Sequence, residues 1–454
     1  MPIVLKLKRY LNRVTGDNSI VLKIFIAVFL FSAAANVFAQ NKPDNRAQAK
    51  LFLESLAKKD FQTAYGLFAD EVKAKLPAEA LPQVWAQVTG EYGEFRGIKE
   101  LKKTADDESF IAVLEFSKKT ENFAFRFNNQ GKILGFTLAP TGETAKYETP
   151  KYADTNSFTE SEVTVGAGEW ALPATLTMPK DKKNVPAIVL VQGSGAHDRD
   201  EMIGNTKIFK DLAWALASRG IAVLRYDKRT LVHGKEMAAL KNFTVNEETV
   251  DDALLAVELL RKTPNVDAKN IFVLGHSLGG MMIPRIGARD GKIAGLIVFA
   301  GATRPLEDAI VEQTEYLANL DGTVTKEEQA RIDAYKQISA KIKSLTESDR
   351  DSGEFYYGAP ASYYLDLRNY NAPQSAAKLE QPMLILQGEN DYNVTMREFA
   401  GWKNALQSRK NVQFKSYPKL THLFMEGAGG NPPGHVDETV ISDIADWILK
   451  TANK

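Results

Sequence analysis

The stretch Ile271-Phe272-Val273-Leu274-Gly275-His276-Ser277-Leu278-Gly279-Gly280-Met281-Met282-Ile283 decides how this chain is read. A short apolar run predicts a buried strand, a G-x-S-x-G sequence follows it, and an apolar helical pattern begins directly afterwards. A strand that turns this abruptly into a helix holds the turning residue, Ser277, in a strained backbone conformation. Glycines two positions away on either side leave room for it. Gly280 adds space for close helix packing. Set in this context, the pattern reads as a serine presented for nucleophilic attack, in preference to a plain strand-to-helix turn.

Working outward, the same rhythm recurs. Ala187 to Val191, Ile221 to Leu224, Leu296 to Phe299, Met383 to Leu386 and Val412 to Phe414 are further candidate strands. Most are continuous apolar runs instead of alternating ones, as expected where both faces of a strand are buried beneath helices. Between Thr303 and Leu379 the rhythm breaks into a charged helical segment and then a tyrosine-rich one, Tyr356, Tyr357, Tyr363, Tyr364 and Tyr370. An insertion of this length between core strands reads as a cap at about 303–379, against the blander alternative of a solvated helical decoration held down by its tyrosines.

A serine hydroxyl is a weak nucleophile at neutral pH and needs a histidine base, itself oriented by a carboxylate. The chain has five histidines. His422, in Leu420-Thr421-His422-Leu423-Phe424 after the last candidate strand, is the expected base; His435 is the fallback, and His276 reads as structural. The acid belongs in the loop after Met383 to Leu386, where Asp391 is preferred to Glu389. An oxyanion needs N–H donors. Leu278, directly after the nucleophile, supplies one, and Ser194 in Val191-Gln192-Gly193-Ser194-Gly195 is the best candidate for the second. That turn lacks the spacing of a dinucleotide fingerprint. His197 and Asp198-Arg199-Asp200 read as an ion-paired brace for the loop, and Tyr226-Asp227-Lys228-Arg229 as a structural charged run.

Taken together, Gln192 to Asp200, Leu224 to Arg229, Gly275 to Gly280, Asp391-Tyr392-Asn393-Val394-Thr395 and Thr421 to Phe424 resemble the bacterial carboxylesterase branch of the α/β-hydrolase superfamily. The resemblance spans about residues 160–452. Gln192 departs from it, standing where relatives often carry histidine. It implies an α/β-hydrolase fold, a mostly parallel sheet with helices on both faces and a helical cap, with Ser277, Asp391 and His422 in the chain order such folds require. It further implies hydrolysis of a small-molecule carboxylic ester through an acyl-enzyme, without metal or other cofactor. A serine peptidase or an acyltransferase on the same triad is the alternative activity, and a binding protein with a vestigial site is the non-enzyme one.

Ahead of this region, Asn45 to Leu101 reads as helical, and Phe110 to Leu114, Phe123 to Phe127 and Ile133 to Phe136 read as strands, the last two joined by a turn at Asn128 to Gly131. Helices first and an antiparallel sheet second predict a small α+β domain at 40–140. It resembles the cone-shaped folds related to nuclear transport factors that are fused before hydrolases in bacteria. It carries no triad, metal cluster or glycine-rich loop, which favours a packing or substrate-presenting role. Residues 141–160, rich in Thr, Glu, Lys and Pro, read as a linker, leaving 161–454 for the hydrolase.

The composition agrees with such an organisation. The 454 residues carry 57 Lys+Arg against 57 Asp+Glu, with 44% hydrophobic residues and no cysteine. This argues against a disordered chain or a nucleic-acid surface, and it excludes disulfides, thiolate metal sites and cysteine nucleophiles. At the N-terminus, Lys6, Lys8, Arg9, Arg13 and Lys23 precede the apolar run Ile24 to Ala35, which is shorter than the roughly 20 residues of a membrane span. With Asn36-Val37-Phe38-Ala39-Gln40 behind it, the segment 1–39 reads as a secretory signal cleaved after about Ala39, an uncleaved anchor being the alternative. Its loss turns the zero net charge into −4. The expected product is an exported enzyme, periplasmic or secreted, without stable membrane insertion.

Overall fold

The computed structural model describes residues 44–453 apart from 74–75, 104–108, 129, 140–146, 204–205 and 428–433. The expected export signal and the first part of the expected linker lie outside the described residues. The chain divides into two units between residues 145 and 146.

In the N-terminal unit, helices α1 (Asn45–Ala57), α2 (Phe61–Gly66), α3 (Asp70–Lys73) and α4 (Ala80–Tyr92) precede an antiparallel sheet of β1 (Phe95–Lys103), β2 (Ser109–Phe116), β3 (Thr120–Phe127) and β4 (Ile133–Ala139). Asp44 and Asp60 cap α1 and α2 by accepting backbone N–H groups from Ala47 and Thr63. Alternation along β3 buries Phe123, Phe125 and Phe127 on one face. Phe52 of α1 meets Phe68, Phe125 and Phe136 edge-on, with ring centroids 5.3, 5.8 and 5.3 Å away.

The helical reading of 45–101 overruns at its end. Helix α4 stops at Gly93, whose φ of 88° is left-handed and where a Cβ would lie 2.0 Å from Ser117 Oγ. The chain then runs as strand β1. Two register irregularities along β1 bring Phe95, Ile98 and Leu101 against the same core, so its apolar spacing of three imitates a helix.

The second unit is built on an eight-stranded sheet. Its strands are β5 (Phe158–Val165), β6 (Leu172–Pro179), β7 (Val185–Val191), β8 (Ala222–Tyr226), β9 (Val266–His276), β10 (Gly295–Phe299), β11 (Met383–Gly388) and β12 (Val412–Tyr417), in the order β12-β11-β10-β9-β7-β8-β6-β5. From β12 to β8 the pairs are parallel, and β6 and β5 complete the sheet antiparallel. Alternate residues of the apolar runs enter different cores. Val189, Val273 and Val298 pack in one with helices α6 (Asp251–Arg261) and α7 (Leu278–Arg289), while Leu190, Leu274 and Phe299 pack in the other with α5 (Ile208–Ser218) and α12 (Glu438–Ala452). This double burial is why the runs are continuous.

The expected linker ends earlier than read, because residues 158–160 already belong to β5. Asp154 N donates to Ser218 Oγ at 2.9 Å, and Tyr147 Oη donates to Asp211 Oδ1 at 2.6 Å, so residues ahead of β5 are fastened to α5. As an edge strand β5 exposes Thr159 to Glu162, which gave it the composition of a loop.

Between β10 and β11 lie α8 (Leu306–Ala318), α9 (Lys326–Ser344), α10 (Ala361–Leu367) and α11 (Ala372–Ala376). A Thr325/Glu328 capping box starts α9. The tyrosines of this insertion bond into the framework: Tyr357 to Tyr335 O, Tyr363 to Glu248, Tyr364 to Tyr356 O and Tyr370 to Met281 O. No helix among the described residues is long and apolar enough to cross a membrane.

Candidate active site

Ser277 stands between the end of β9 and the start of α7 with φ 53° and ψ −114°. A side chain at Gly275 would collide with Gly279 O at 2.2 Å, and one at Gly279 with Val191 O at 2.4 Å. Only glycine lets β9, the turn and the end of β7 approach this closely. Ser277 N donates to Phe299 O at 3.0 Å, which fixes the turn to the neighbouring strand.

After β11, Asp391 Oδ1 accepts the backbone N–H groups of Asn393 and Val394, each at 2.8 Å. Its Oδ2 accepts Gln387 Nε2–H at 2.9 Å and lies 2.7 Å from His422 Nδ1. Both Asp391 and His422 are buried. The contact engages Nδ1 and leaves Nε2 as the ring nitrogen that does not face Asp391. Gly388 makes this meeting possible, since a Cβ there would lie 2.4 Å from Leu420 O and 2.5 Å from Thr421 O. The His422 ring lies 4.6 Å, centroid to centroid, from that of His276, the residue before Ser277. The three residues expected to act together therefore sit on adjoining turns.

The alternatives fall elsewhere. Glu389 accepts the Ser416 hydroxyl at 2.7 Å, outside the Asp391–His422 pair. His435 Nδ1 engages Asp211 Oδ1 at 3.0 Å, on a carboxylate that also takes Tyr147 Oη and Val436 N. It has no place beside the elbow.

His276 is structural in a more specific sense than its position suggests. Its Nε2 donates to His422 O at 3.1 Å and its Nδ1 lies 3.0 Å from Glu201 Oε1, so both ring nitrogens face acceptors. Burial opposes the charged ring, but the Glu201 carboxylate overrides it and raises the His276 pKa. Burial likewise pushes Glu201 up, and the His276 charge with its hydrogen bond brings it below the usual value. Glu201 Oε1 also accepts Gly193 N–H at 2.7 Å, tying the loop after β7 to the elbow.

The loop itself is braced as expected. Arg199 binds Asp227 through its backbone and side chain, both at 2.8 Å, and Asp200 pairs with Arg225 and Lys207. Gln192 Nε2 donates to Tyr226 O. Lys228, read from sequence as part of a structural run, instead reaches Gly193 O with its Nζ at 2.6 Å and Glu248 Oε1 at 2.9 Å. Sequence reasoning also passed over Glu201 and Gln387, since isolated polar residues carry no pattern. On the other side, Tyr316 of α8 stacks on Tyr392, centroids 4.8 Å apart and planes 7° apart, and Gln313 donates to Asn393 O at 3.1 Å. The cap thus leans on the Asp391 loop.

The sheet order, the strained serine and the buried Asp–His pair define an α/β-hydrolase with its serine on the elbow. The family described as serine aminopeptidase, S33, matches residues 187–427, and one described as a protein of unknown function (DUF3887) matches 49–136. Esterase EstD of Thermotoga maritima is 35% identical over 437 residues, covering 94% of this chain and 100% of that protein. Acylamino-acid-releasing enzyme 1 of rice is 24% identical over 276 residues, 61% of this chain and 31% of its own. Among solved structures, Est1E from Butyrivibrio proteoclasticus aligns with a TM-score of 0.44 at 18% identity, over 64% of this chain and 99% of its own. The chain belongs to the serine aminopeptidase S33 family of α/β-hydrolases, and over nearly its whole length it is a relative of an esterase.

Proposed function

We propose that the protein is a carboxylic ester hydrolase in which Ser277, Asp391 and His422 form the catalytic triad. The observation that carries this reading is the buried 2.7 Å contact between Asp391 Oδ2 and His422 Nδ1 beside a serine held at positive φ. His422 Nε2 takes the Ser277 proton as the hydroxyl attacks the ester carbonyl. The N–H groups of Leu278 and Ser194 receive the developing oxyanion. Collapse of the tetrahedral intermediate expels the alcohol, protonated by His422, and leaves an acyl-enzyme. Water, deprotonated by the same His422, then releases the acid and regenerates Ser277.

The test is hydrolysis of p-nitrophenyl esters with covalent labelling by a fluorophosphonate. The wild-type chain hydrolyses and is labelled; Ser277→Ala does neither, and hydrolysis by that variant at the wild-type rate would refute the assignment. A second reading, amide cleavage on the same triad, is favoured by the family's description as an aminopeptidase. It is separated by comparing one acyl group as p-nitrophenyl ester and as p-nitroanilide, where faster turnover of the anilide would favour the peptidase.

The N-terminal charge pattern followed by Ile24 to Ala35 and Ala39-Gln40 supports export with cleavage after about Ala39. N-terminal sequencing of the protein from a periplasmic or culture fraction tests this, and an intact Met1 would refute it.

A further inference from the structure

We propose that Lys228 is a positioning residue for the oxyanion hole, one that sets and polarises the Gly193–Ser194 peptide; this rests on the ester-hydrolase reading above. The argument begins with the placement of that peptide. A Cβ on Gly193 would lie only 3.2 Å from Ser277 Cβ, so the peptide passes directly over the nucleophile. The N–H of Gly193, which belongs to the preceding peptide, is committed to Glu201 at 2.7 Å and cannot serve an oxyanion. The next donor in the chain is Ser194 N–H.

A trans peptide directs its C=O and N–H to opposite sides. Lys228 Nζ holds Gly193 O at 2.6 Å, and Lys228 is 1% exposed. With the carbonyl fixed toward the ammonium, the N–H of Ser194 is turned the other way, toward the Ser277 side. The same contact acts electronically. A cation on the carbonyl oxygen draws electron density through the amide and makes the attached N–H a stronger donor, just as charge-assisted hydrogen bonds exceed neutral ones. An ammonium suits this role because it is a compact point charge with three donors; one is spent on Gly193 O and another on Glu248 Oε1 at 2.9 Å.

Glu248 in turn accepts Tyr363 Oη at 2.6 Å from α10 of the cap. Counter-charge and cap tyrosine keep the buried ammonium in place, and neither touches the loop peptide. The device differs from the Arg199–Asp227 and Arg225–Asp200 ion pairs, which brace the outer part of the loop at Arg199 and Asp200.

The test compares the full chain with Lys228→Met, which keeps the length of the side chain and removes the charge. Removal of one oxyanion donor costs about 10²- to 10³-fold in kcat, and mis-setting one is expected to cost about 10²-fold. KM stays within about threefold. Affinity for a trifluoromethyl ketone, which forms a tetrahedral oxyanion adduct on the serine, falls by the same factor as kcat. Because the chain has no cysteine, a Lys228→Cys variant can be alkylated in denaturant with bromoethylamine and refolded, which restores an ammonium at the same reach. Recovery of kcat and ketone affinity to within about tenfold of wild type supports the proposal.

Unchanged kcat in Lys228→Met, or a loss in kcat without a matching loss in ketone affinity, overturns it. Should the methionine and cysteine variants fail to fold, Lys228→Gln decides, because it keeps a polar side chain and removes the charge: kcat and ketone affinity are expected to fall together by at least about tenfold. Unchanged kcat in that variant overturns the proposal. If the wild-type chain itself shows no Ser277-dependent hydrolysis, the ester-hydrolase reading has failed, and that outcome is recognised before any Lys228 variant is measured.

Discussion

Replacing Asp391 by asparagine probes the proposed triad at the atom where geometry and tautomer meet. Oδ1 serves two backbone N–H groups and an asparagine carbonyl can serve them equally well, so the side chain is expected to keep its orientation. The amide NH2 then occupies the place of Oδ2, where it faces the Gln387 Nε2 donor and His422 Nδ1. A donor there forces His422 to accept at Nδ1 and carry its proton on Nε2, which is the wrong tautomer for deprotonating Ser277. In the best-studied serine triad this change lowers kcat by about 10⁴-fold. At about 1.4 kcal/mol per decade that is about 5.5 kcal/mol of barrier. The opposed Gln387 donor adds a folding cost of about 1–3 kcal/mol for a buried group left unpaired. The assay is initial rates on a p-nitrophenyl ester with thermal unfolding run in parallel. Fluorophosphonate labelling is expected to slow with kcat. An Asp391→Asn variant within tenfold of wild type, or a Glu389→Gln variant that loses as much, would refute the reasoning.

Three further outcomes follow from other contacts. Gly388→Ala pushes a methyl into Leu420 O and Thr421 O at about van der Waals overlap, so it is expected to displace the His422 loop and lower kcat by at least about 10²-fold, read in the same ester assay. The Glu201–His276 pair gives a signed pH dependence. Because His276 titrates above its ordinary 6.5, its contribution is complete below that value and is lost as pH rises through the raised one; because Glu201 titrates below 4.5, its contribution is complete above 4.5 and is lost as pH falls through the lowered one. The stability gap between wild type and Glu201→Gln, followed by thermal unfolding, is therefore widest between pH 4.5 and 6.5 and narrows in alkali; a gap that widens in alkali contradicts the ion pair. Phe52→Ala removes a fully buried ring from the N-terminal core and is expected to cost about 3–5 kcal/mol in that unit, seen as a lowered first transition in calorimetry while ester turnover by the second unit persists.

What was legible in the sequence was legible for local reasons. The elbow needs glycine at fixed offsets from Ser277 because carbonyls approach within 2.4 Å of where side chains would stand, so the requirement is written as a pattern. The strands β7 to β11 announce themselves because burial on both faces leaves no polar alternation to confuse with a loop. Strand β1 was hidden because two bulges rephase its side chains, and β5 because an edge strand with four exposed polar residues has a linker's composition. The pairing of His422 with Asp391 was anticipated from chain order. Glu201, Gln387 and Lys228 were not, since their partners are backbone atoms or a neighbouring loop. Lys228 and Gly193 O stand 35 positions apart, a distance no local pattern spans.

Those hidden residues have a common logic. Gly193 is gripped at both of its backbone groups by buried charge, with an anion on its N–H and a cation on its C=O, which is the sign each group favours. Each charge has its own counter-ion, His276 for Glu201 and Glu248 for Lys228, so neither is left uncompensated in the interior. Glu201 holds the Gln192–Gly193 peptide and Lys228 holds the Gly193–Ser194 peptide, so the two pairs fix successive peptide planes on either side of the Gly193 Cα. They also anchor the loop to different parts of the fold: Glu201 through His276 to the elbow and the His422 carbonyl, and Lys228 through Glu248 to the tyrosine of the cap. Disturbing either pair is therefore expected to move the same N–H. Loss of Glu201 acts together with the His422 loop, and loss of Lys228 acts without it, so the fluorophosphonate labelling rate falls in both variants, and the pH dependence of stability changes in the first.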